Sequence, residues 1–296
     1  MNIQQREEWV NEVLKEVLLA AIQSPELREA LIFKGAWTLN LHLQEDRHSM
    51  DIDAAAGPEW VGHHPDRNEQ ELFLRDRLQT AVRRHFERQN PARYALDAFR
   101  IERNPPDAHP RGWDMFRIIL NITDRRHAGV RGLPPAIIEI SAPEQLGPHA
   151  IEEHVFRGVP ARMYSLHRVA GEKMRAYLTS LPDYRNKRGG GEREFRVKDL
   201  HDLARIVRSR PITDGGFWEA VAEEFKLACA SRFVDCAGPE TFKQDWPQAR
   251  LRYEQDRSLQ RIPFAEAESA LEFILRFFET IHTFPLNFEA PPLPLR

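Results

Sequence analysis

Apolar residues recur at helical spacing through residues 5–23, where Trp9, Val13, Leu14, Val17, Leu18 and Ile22 share one face. Pro25 opens a second, short helix, because its fixed φ suits a first helical turn. Leu31, Ile32 and Phe33 then lead through a glycine turn into a helical stretch ending near Leu43. Residues 50–56 read as a short strand closed by Gly57 and Pro58, with Met50 and Ile52 turned inward. A long charged helix is predicted over 67–90, and β-rich runs over 96–101, 115–122 and 136–141. From Ser165 onward the period is helical: 165–181, 196–209, 216–231, 240–255 and 264–283. A Pro-rich tail, expected to be extended, follows from Ala290. The pattern is α+β in residues 1–160 and helical in 161–296, which sets the expected domain boundary near 160.

Composition narrows the class. The chain has 296 residues, 42% of them hydrophobic and 9% aromatic, with a formal net charge of −3. Such a chain buries a proper core and is neither collagen-like, coiled-coil nor disordered. No apolar run approaches the ~20 residues of a membrane span. The charged, amphipathic start is unlike a secretory signal, and two cysteines, Cys229 and Cys236, make no disulfide framework. A cytoplasmic location is the expectation. Within this slightly acidic chain, residues 185–198 form a Gly-rich basic stretch, suited to guiding a polyanionic acceptor or simply to being a solvated loop.

The strongest chemical signal is Ser49-Met50-Asp51-Ile52-Asp53. On a strand, positions i and i+2 point to one face, so Asp51 and Asp53 face the same way. Two carboxylates at that spacing repel unless a cation lies between them. Mg²⁺ suits oxygen ligands and bridges to phosphates; a solvent face that carries two aspartates is the plainer reading. Upstream, Lys34-Gly35-Ala36-Trp37-Thr38-Leu39 places a glycine at a strand-to-helix turn. There the free N–H groups and positive helix end can hold a phosphate. A two-metal site takes a third carboxylate. Glu139, the lone acid of 136–141, is the candidate and Asp124 its rival.

In the helical half, Leu166, Ala170, Met174, Tyr177 and Leu181 form an apolar stripe, and Lys173 falls within it. A lysine there either snorkels out or meets an anion. Asp199 and Asp202, three apart at the start of the next long helix, either serve a site or complement the helix dipole. His42, His48, His63 and His64 lack the spacing of a zinc site, and surface loops are their expected setting. Cys229 and Cys236 are expected to pack, and so are Trp218, Phe225, Phe233, Phe273, Phe277 and Phe278 in a helix bundle.

These segments resemble the AbiEii/AbiGii-type nucleotidyltransferase toxins of the DNA polymerase β-like superfamily. Lys34-Gly35 with Thr38-Leu39, then Arg47-His48-Ser49-Met50-Asp51-Ile52-Asp53, is similar to the family's K-G-G-T-A-L and R-x-S-x-D-I-D pattern. Ala36 stands where a second glycine is usual and Trp37 where Ser or Thr is common. Glu172, Lys173 and Ala176 match the family's E-K-x-x-A segment. Arg196, Asp199, Leu200, Asp202 and Leu203 match its R-x-x-D-L-x-D-L segment.

The resemblance implies an N-terminal polymerase β-like domain, a C-terminal helical bundle and an active site drawing on both halves. It implies transfer of NMP from an NTP, with Mg²⁺ on Asp51, Asp53 and Glu139. Gly35, Thr38, Ser49 and Lys173 would bind nucleotide, and Asp199 or Asp202 would support the site, with Asp199 preferred. The implied acceptor is a tRNA 3′ end or a protein side chain, and the implied partner a separately encoded antitoxin. Two other readings stay open: nucleotidylation of a small molecule, as in antibiotic-modifying transferases, and a degenerate homologue that only holds nucleotide or partner.

Overall fold

Seven strands form one mixed sheet, in the order β3-β4-β5-β2-β1-β7-β6, in the computed structural model, which describes residues 2–44, 49–130, 132–187 and 195–288. Its strands are β1 (Leu31–Lys34), β2 (Ile52–Ala56), β3 (Tyr94–Asn104), β4 (Met115–Asp124), β5 (Ala136–Ser141), β6 (Ile151–Phe156) and β7 (Val159–Tyr164). Around them lie α1 (Ile3–Gln23), α2 (Pro25–Ala30), α3 (Gly35–Leu43), α4 (Pro58–His63) and α5 (Arg67–Arg88). The remaining helices are α6 (Leu166–Thr179), α7 (Pro182–Lys187), α8 (Val197–Ser209), α9 (Gly215–Ala230), α10 (Trp246–Gln255) and α11 (Phe264–Thr280).

The chain divides into two compact units, and residues 144–150 belong to the second although 151–164 return to the first. Among the described residues the chain passes from one unit to the other after Pro143, after Ala150 and after Tyr164, where the expectation was one boundary near 160.

In the first unit, α1 begins at a reciprocal cap between Asn2 and Gln5. Its apolar stripe, Val13, Leu14, Val17, Leu18 and Ile22, is buried together with Leu74, Leu78, Val82 and Phe86 of α5. Each such side chain stabilises by roughly 1.5–3 kcal/mol when fully buried. The strands supply the other side of this core through Ile52, Ala54, Ile138, Ile140, Ile118 and Leu120. Alternation along β2, β4 and β5 therefore sends Asp53, Glu139 and Arg117 to the opposite face.

Several elements depart from the sequence-based expectation. The strand expected at residue 50 begins only at Ile52, and Met50 is 48% exposed instead of buried. The hairpin β6–β7 was not legible, because Pro160 and the polar run Glu152-Glu153-His154 obscure its alternation. Its two-residue turn, Arg157 at φ 49° and Gly158 at φ 81°, has the positive φ pair that suits strand twist. The short α4, opened by Pro58, was also missed.

The second unit is helical among its described residues, apart from an isolated bridge between Cys236 and Leu286. Ser165 caps α6 by accepting from the Arg168 N–H. α6 and α9 meet at Gly171, where a Cβ would lie 2.7 Å from the Phe225 nitrogen. Arg168 is fully buried and joins Glu144, Glu224 and the Gln145 carbonyl, which ties 144–150 to this unit. Trp218, Phe225 and Phe278 are core, and both cysteines are free and buried. Phe273, expected in the bundle core, is 46% exposed. The Pro-rich tail and residues 188–194 of the basic stretch lie outside the described residues.

Candidate functional site

Lys34 ends β1 and Gly35 begins α3 at φ +72°, a backbone region that disfavours any side chain. A Cβ there would also fall 2.0 Å from Asp53 Oδ2. Glycine is required at this position on both counts, and its absence of a side chain lets the start of α3 press against the Asp53 carboxylate. Lys34, the N-cap residue, makes no side-chain cap bond, and the positive start of α3 lies beside the Asp53 carboxylate.

Strand register builds a charged row across the sheet. Lys34 pairs with Asp53, Asp53 with Glu139 and Glu139 with Arg117 on four adjacent strands. The two acids therefore sit side by side, at the ~4.8 Å spacing of neighbouring strands. Burial and then the Asp53 charge push the Glu139 carboxyl above its usual range, against a pull from Arg117. Arg117 Nε lies 3.6 Å from Glu139 Oε1, a loose pair on a partly exposed face. Asp51 stands just before β2, half-buried. Arg117 was missed from sequence: it alternates with buried Phe116 and Ile118, but only the register sets it beside Glu139.

The neighbouring hydroxyls turn inward. Ser49 is buried and donates to the Asp51 carbonyl at 3.0 Å, so it shapes the entry to β2 and its proposed phosphate contact is not displayed. Thr38 has no exposed surface and its Oγ1 has no hydrogen-bond partner among the described residues, so the expected nucleotide contact does not fit its placement. Trp37 is buried edge-on against Phe156 at 6.2 Å, which explains how an indole is accommodated where a small hydroxyl residue is common. Arg47 and His48 lie outside the described residues.

The rival acid Asp124 is committed elsewhere. It is fully buried and accepts from Trp9, Arg93 and the Arg126 N–H. Burial alone would raise its carboxyl, but the bonds from Arg93 and His127 hold it down at about 2. Glu139 is the third acid that the register brings to Asp53. Asp51, Asp53 and Glu139 offer hard oxygen donors whose mutual repulsion a divalent cation would relieve, so the residues fit Mg²⁺ in kind. Their oxygens are splayed: among the described residues, a trio of His, Cys or carboxylate side chains with ligand atoms all within 4.8 Å of one another occurs only at His42, Glu152 and His154.

In the second unit, Lys173 neither snorkels nor points at open space. Its ammonium donates to Asp199 Oδ1 at 2.9 Å and to Asp202 Oδ2 at 2.8 Å. Arg196 donates to Asp199 and Arg205 to Asp202, so three cations surround two buried carboxylates. Burial opposes the Lys173 charge, yet Asp199 and Asp202 outweigh it and hold the ammonium above its usual range. Burial likewise opposes the Asp199 charge, and Lys173 and Arg196 outweigh it and lower that carboxyl. Asp199 and Asp202 are thus equal partners of one lysine, a distinction that spacing alone left open.

Sheet, glycine turn and paired acids are the parts expected of a nucleotidyltransferase. A solved protein of H. pylori described as a nucleotidyltransferase has the same fold, with a TM-score of 0.51 at 14% identity, covering 95% of this chain and 99% of that one. MenT4, a nucleotidyltransferase toxin of Mycobacterium tuberculosis H37Rv, aligns at a TM-score of 0.43 and 12% identity, covering 91% of this chain and 93% of its own. Curated proteins give no match. The model of the nucleotidyl transferase AbiEii toxins of type IV toxin–antitoxin systems matches residues 17–284, and the chain belongs to that family. No helix among the described residues is long and apolar enough to cross a membrane.

Proposed function

We propose that this AbiEii-family nucleotidyltransferase moves a nucleoside monophosphate from an NTP to an acceptor hydroxyl, on a tRNA 3′ end or a protein side chain. The observation that carries this reading is the approach of the α3 start to Asp53, with Glu139 beside Asp53 in register. The N–H groups that follow Gly35 would bind triphosphate oxygens, as helix starts do. Asp51, Asp53 and Glu139 would hold Mg²⁺, which supplies charge neutralisation to the phosphates and a lowered pKa to the attacking hydroxyl. Gly35 contributes by keeping space between backbone and carboxylate. Lys173, Asp199 and Asp202 act in this reading as a fixed ionic unit holding α6 to α8. Family membership supports an antitoxin, encoded separately, as the protein partner.

The alternative is a degenerate homologue that holds nucleotide or a partner without transfer; the Thr38 and Ser49 hydroxyls, both turned inward, leave nucleotide holding to the Gly35 turn and the acids. The purified protein, incubated with each labelled NTP and total RNA, should transfer label with Mg²⁺ and lose it with EDTA. Label on tRNA identifies the nucleic-acid acceptor, and label on protein the other. Bound nucleotide without transfer under any condition would favour the holding reading.

A further inference from the structure

Arg117 is the group of the charged row that the proposed reaction leaves unused. It stands on β4 between buried Phe116 and Ile118, so its side chain emerges on the face that carries Glu139 and Asp53. Its Nε lies 3.6 Å from Glu139 Oε1, too far for a hydrogen bond, with 44% of the side chain exposed. Glu102, its partner in register on β3, is held by Arg100 at 3.0 Å. Among the described residues the Arg117 guanidinium makes that loose ion pair and no hydrogen bond. Arg103, Arg168 and Arg208, by contrast, each donate from at least two nitrogens to neighbouring side chains.

We infer that Arg117 is an acceptor-binding residue, which grips the phosphate of a nucleic-acid 3′-terminal nucleotide; this rests on the nucleotidyl-transfer reading above. Strand order decides which side the acceptor takes. A triphosphate held at the start of α3 would lie on the β1 side of Asp53, whereas Arg117 lies beyond Glu139 on the other side. In-line displacement sets the entering oxygen opposite the leaving one. The attacking hydroxyl then arrives over Glu139 from the β4 flank. Two strand spacings, ~9.6 Å, separate β4 from the strand of Asp53, which leaves room for one nucleotide between arginine and acid.

The chemistry of that flank selects the acceptor. A guanidinium presents a planar fork of donors that fits a phosphate. A terminal nucleotide carries such a phosphate on the same sugar as its 3′ hydroxyl, so one arginine can anchor the anion beside the attacking oxygen. A serine, threonine or tyrosine hydroxyl brings no anion with it. Turning Arg117 to a phosphate costs little, because a half-exposed pair at 3.6 Å contributes little.

The test measures binding alone, on the full-length protein with Mg²⁺ and no NTP, so that it does not depend on transfer. A short fluorescein-labelled RNA with a free 3′ hydroxyl is compared by anisotropy with the same RNA whose last internucleotide linkage is an uncharged methylphosphonate. Wild type should prefer the charged linkage by about tenfold, the scale of charge-assisted hydrogen bonds. Arg117→Gln should lose that preference, and its log affinity should fall with log salt on a slope shallower by about 0.7. Arg117→Lys, which keeps the charge without the fork, should fall between the two. Wild type without a preference overturns the assignment, whatever the variants do. So does a preference that survives in Arg117→Gln. Label transferred to protein while RNA goes unbound overturns it too, and leaves the nucleotidyltransferase reading standing. RNA bound with the preference but never extended keeps Arg117 as the phosphate contact and overturns the transfer reading instead.

Discussion

The two charged clusters of this protein are built on opposite principles. In the first unit, Asp53 and Glu139 stand side by side on a half-open sheet face, and the charge of one raises the carboxyl of the other. In the second, Asp199 and Asp202 are buried, yet each carboxylate has cations on it from two side chains. The first cluster carries repulsion that a bound cation would relieve. The second is neutralised by its own chain and gains its cohesion from pairing. Repulsion kept in a folded protein signals a ligand; charge already matched signals architecture.

The largest effect expected from this contrast is on catalysis. Asp53→Asn should lower nucleotide transfer by at least ~10²-fold, the scale of losing a direct stabiliser of reacting charge. Its melting temperature should hold or rise, because a repulsion has been removed. Undiminished transfer in a labelled-NTP assay would sink the metal reading. Next comes Lys173→Met, which leaves two buried carboxylates short of their shared partner. Breaking such a cluster costs roughly 3–5 kcal/mol, so thermal melting should drop clearly. A variant that melts like wild type but no longer binds NTP would break the comparison and return Lys173 to the triphosphate.

Gly35→Ala comes third. It forces an alanine into φ +72° and a Cβ into Asp53. The left-handed backbone alone costs ~1–2 kcal/mol. Melting and NTP affinity should both fall, whereas Gly215→Ala, where a Cβ meets nothing within 4 Å, should change neither.

The smallest effect concerns pH, and its signs are opposite in the two clusters. The lowered Asp199 carboxyl contributes stability above its unfolded pKa, ~3.9, and that stability is lost as pH falls through the folded value. The raised Glu139 carboxyl costs stability once ionised, and the cost disappears as pH falls through its folded value. Glu139→Gln should therefore melt slightly higher than wild type at neutral pH and no higher in acid. Asp199→Asn should melt lower at neutral pH, with the gap narrowing in acid. Calorimetry across pH 3–7 reads both, and a like-signed pair of trends would refute the distinction.

Local chemistry made much of this legible. The α1 stripe needs only its period, the glycine turn only its place between an apolar run and a helix, and the outward face of Asp53 only strand alternation, whereas Asp51 stands just before the strand. What escaped reading depends on partners far along the chain. Glu139 and Asp124 look alike as acids at strand runs, and choosing between them takes the β2–β5 register and the burial of Asp124 beneath Arg93. Lys173 in an apolar stripe announces a missing anion, but Asp199 and Asp202 answer it from 26 and 29 residues away.

The sequence by itself determined where chemistry could occur: a glycine at a helix start, acids two apart where a strand begins, a lysine on a buried stripe. Those facts rest on periodicity and residue type, which act over a few residues. Only the tertiary structure decided what each group faces. Ser49 and Thr38 have their hydroxyls turned inward, Gly35 is obligatory because Asp53 occupies the space of its Cβ, and His42 meets a strand edge more than a hundred residues later. Register and burial set those contacts, and a charge is fixed or left open by its neighbours in space rather than in sequence.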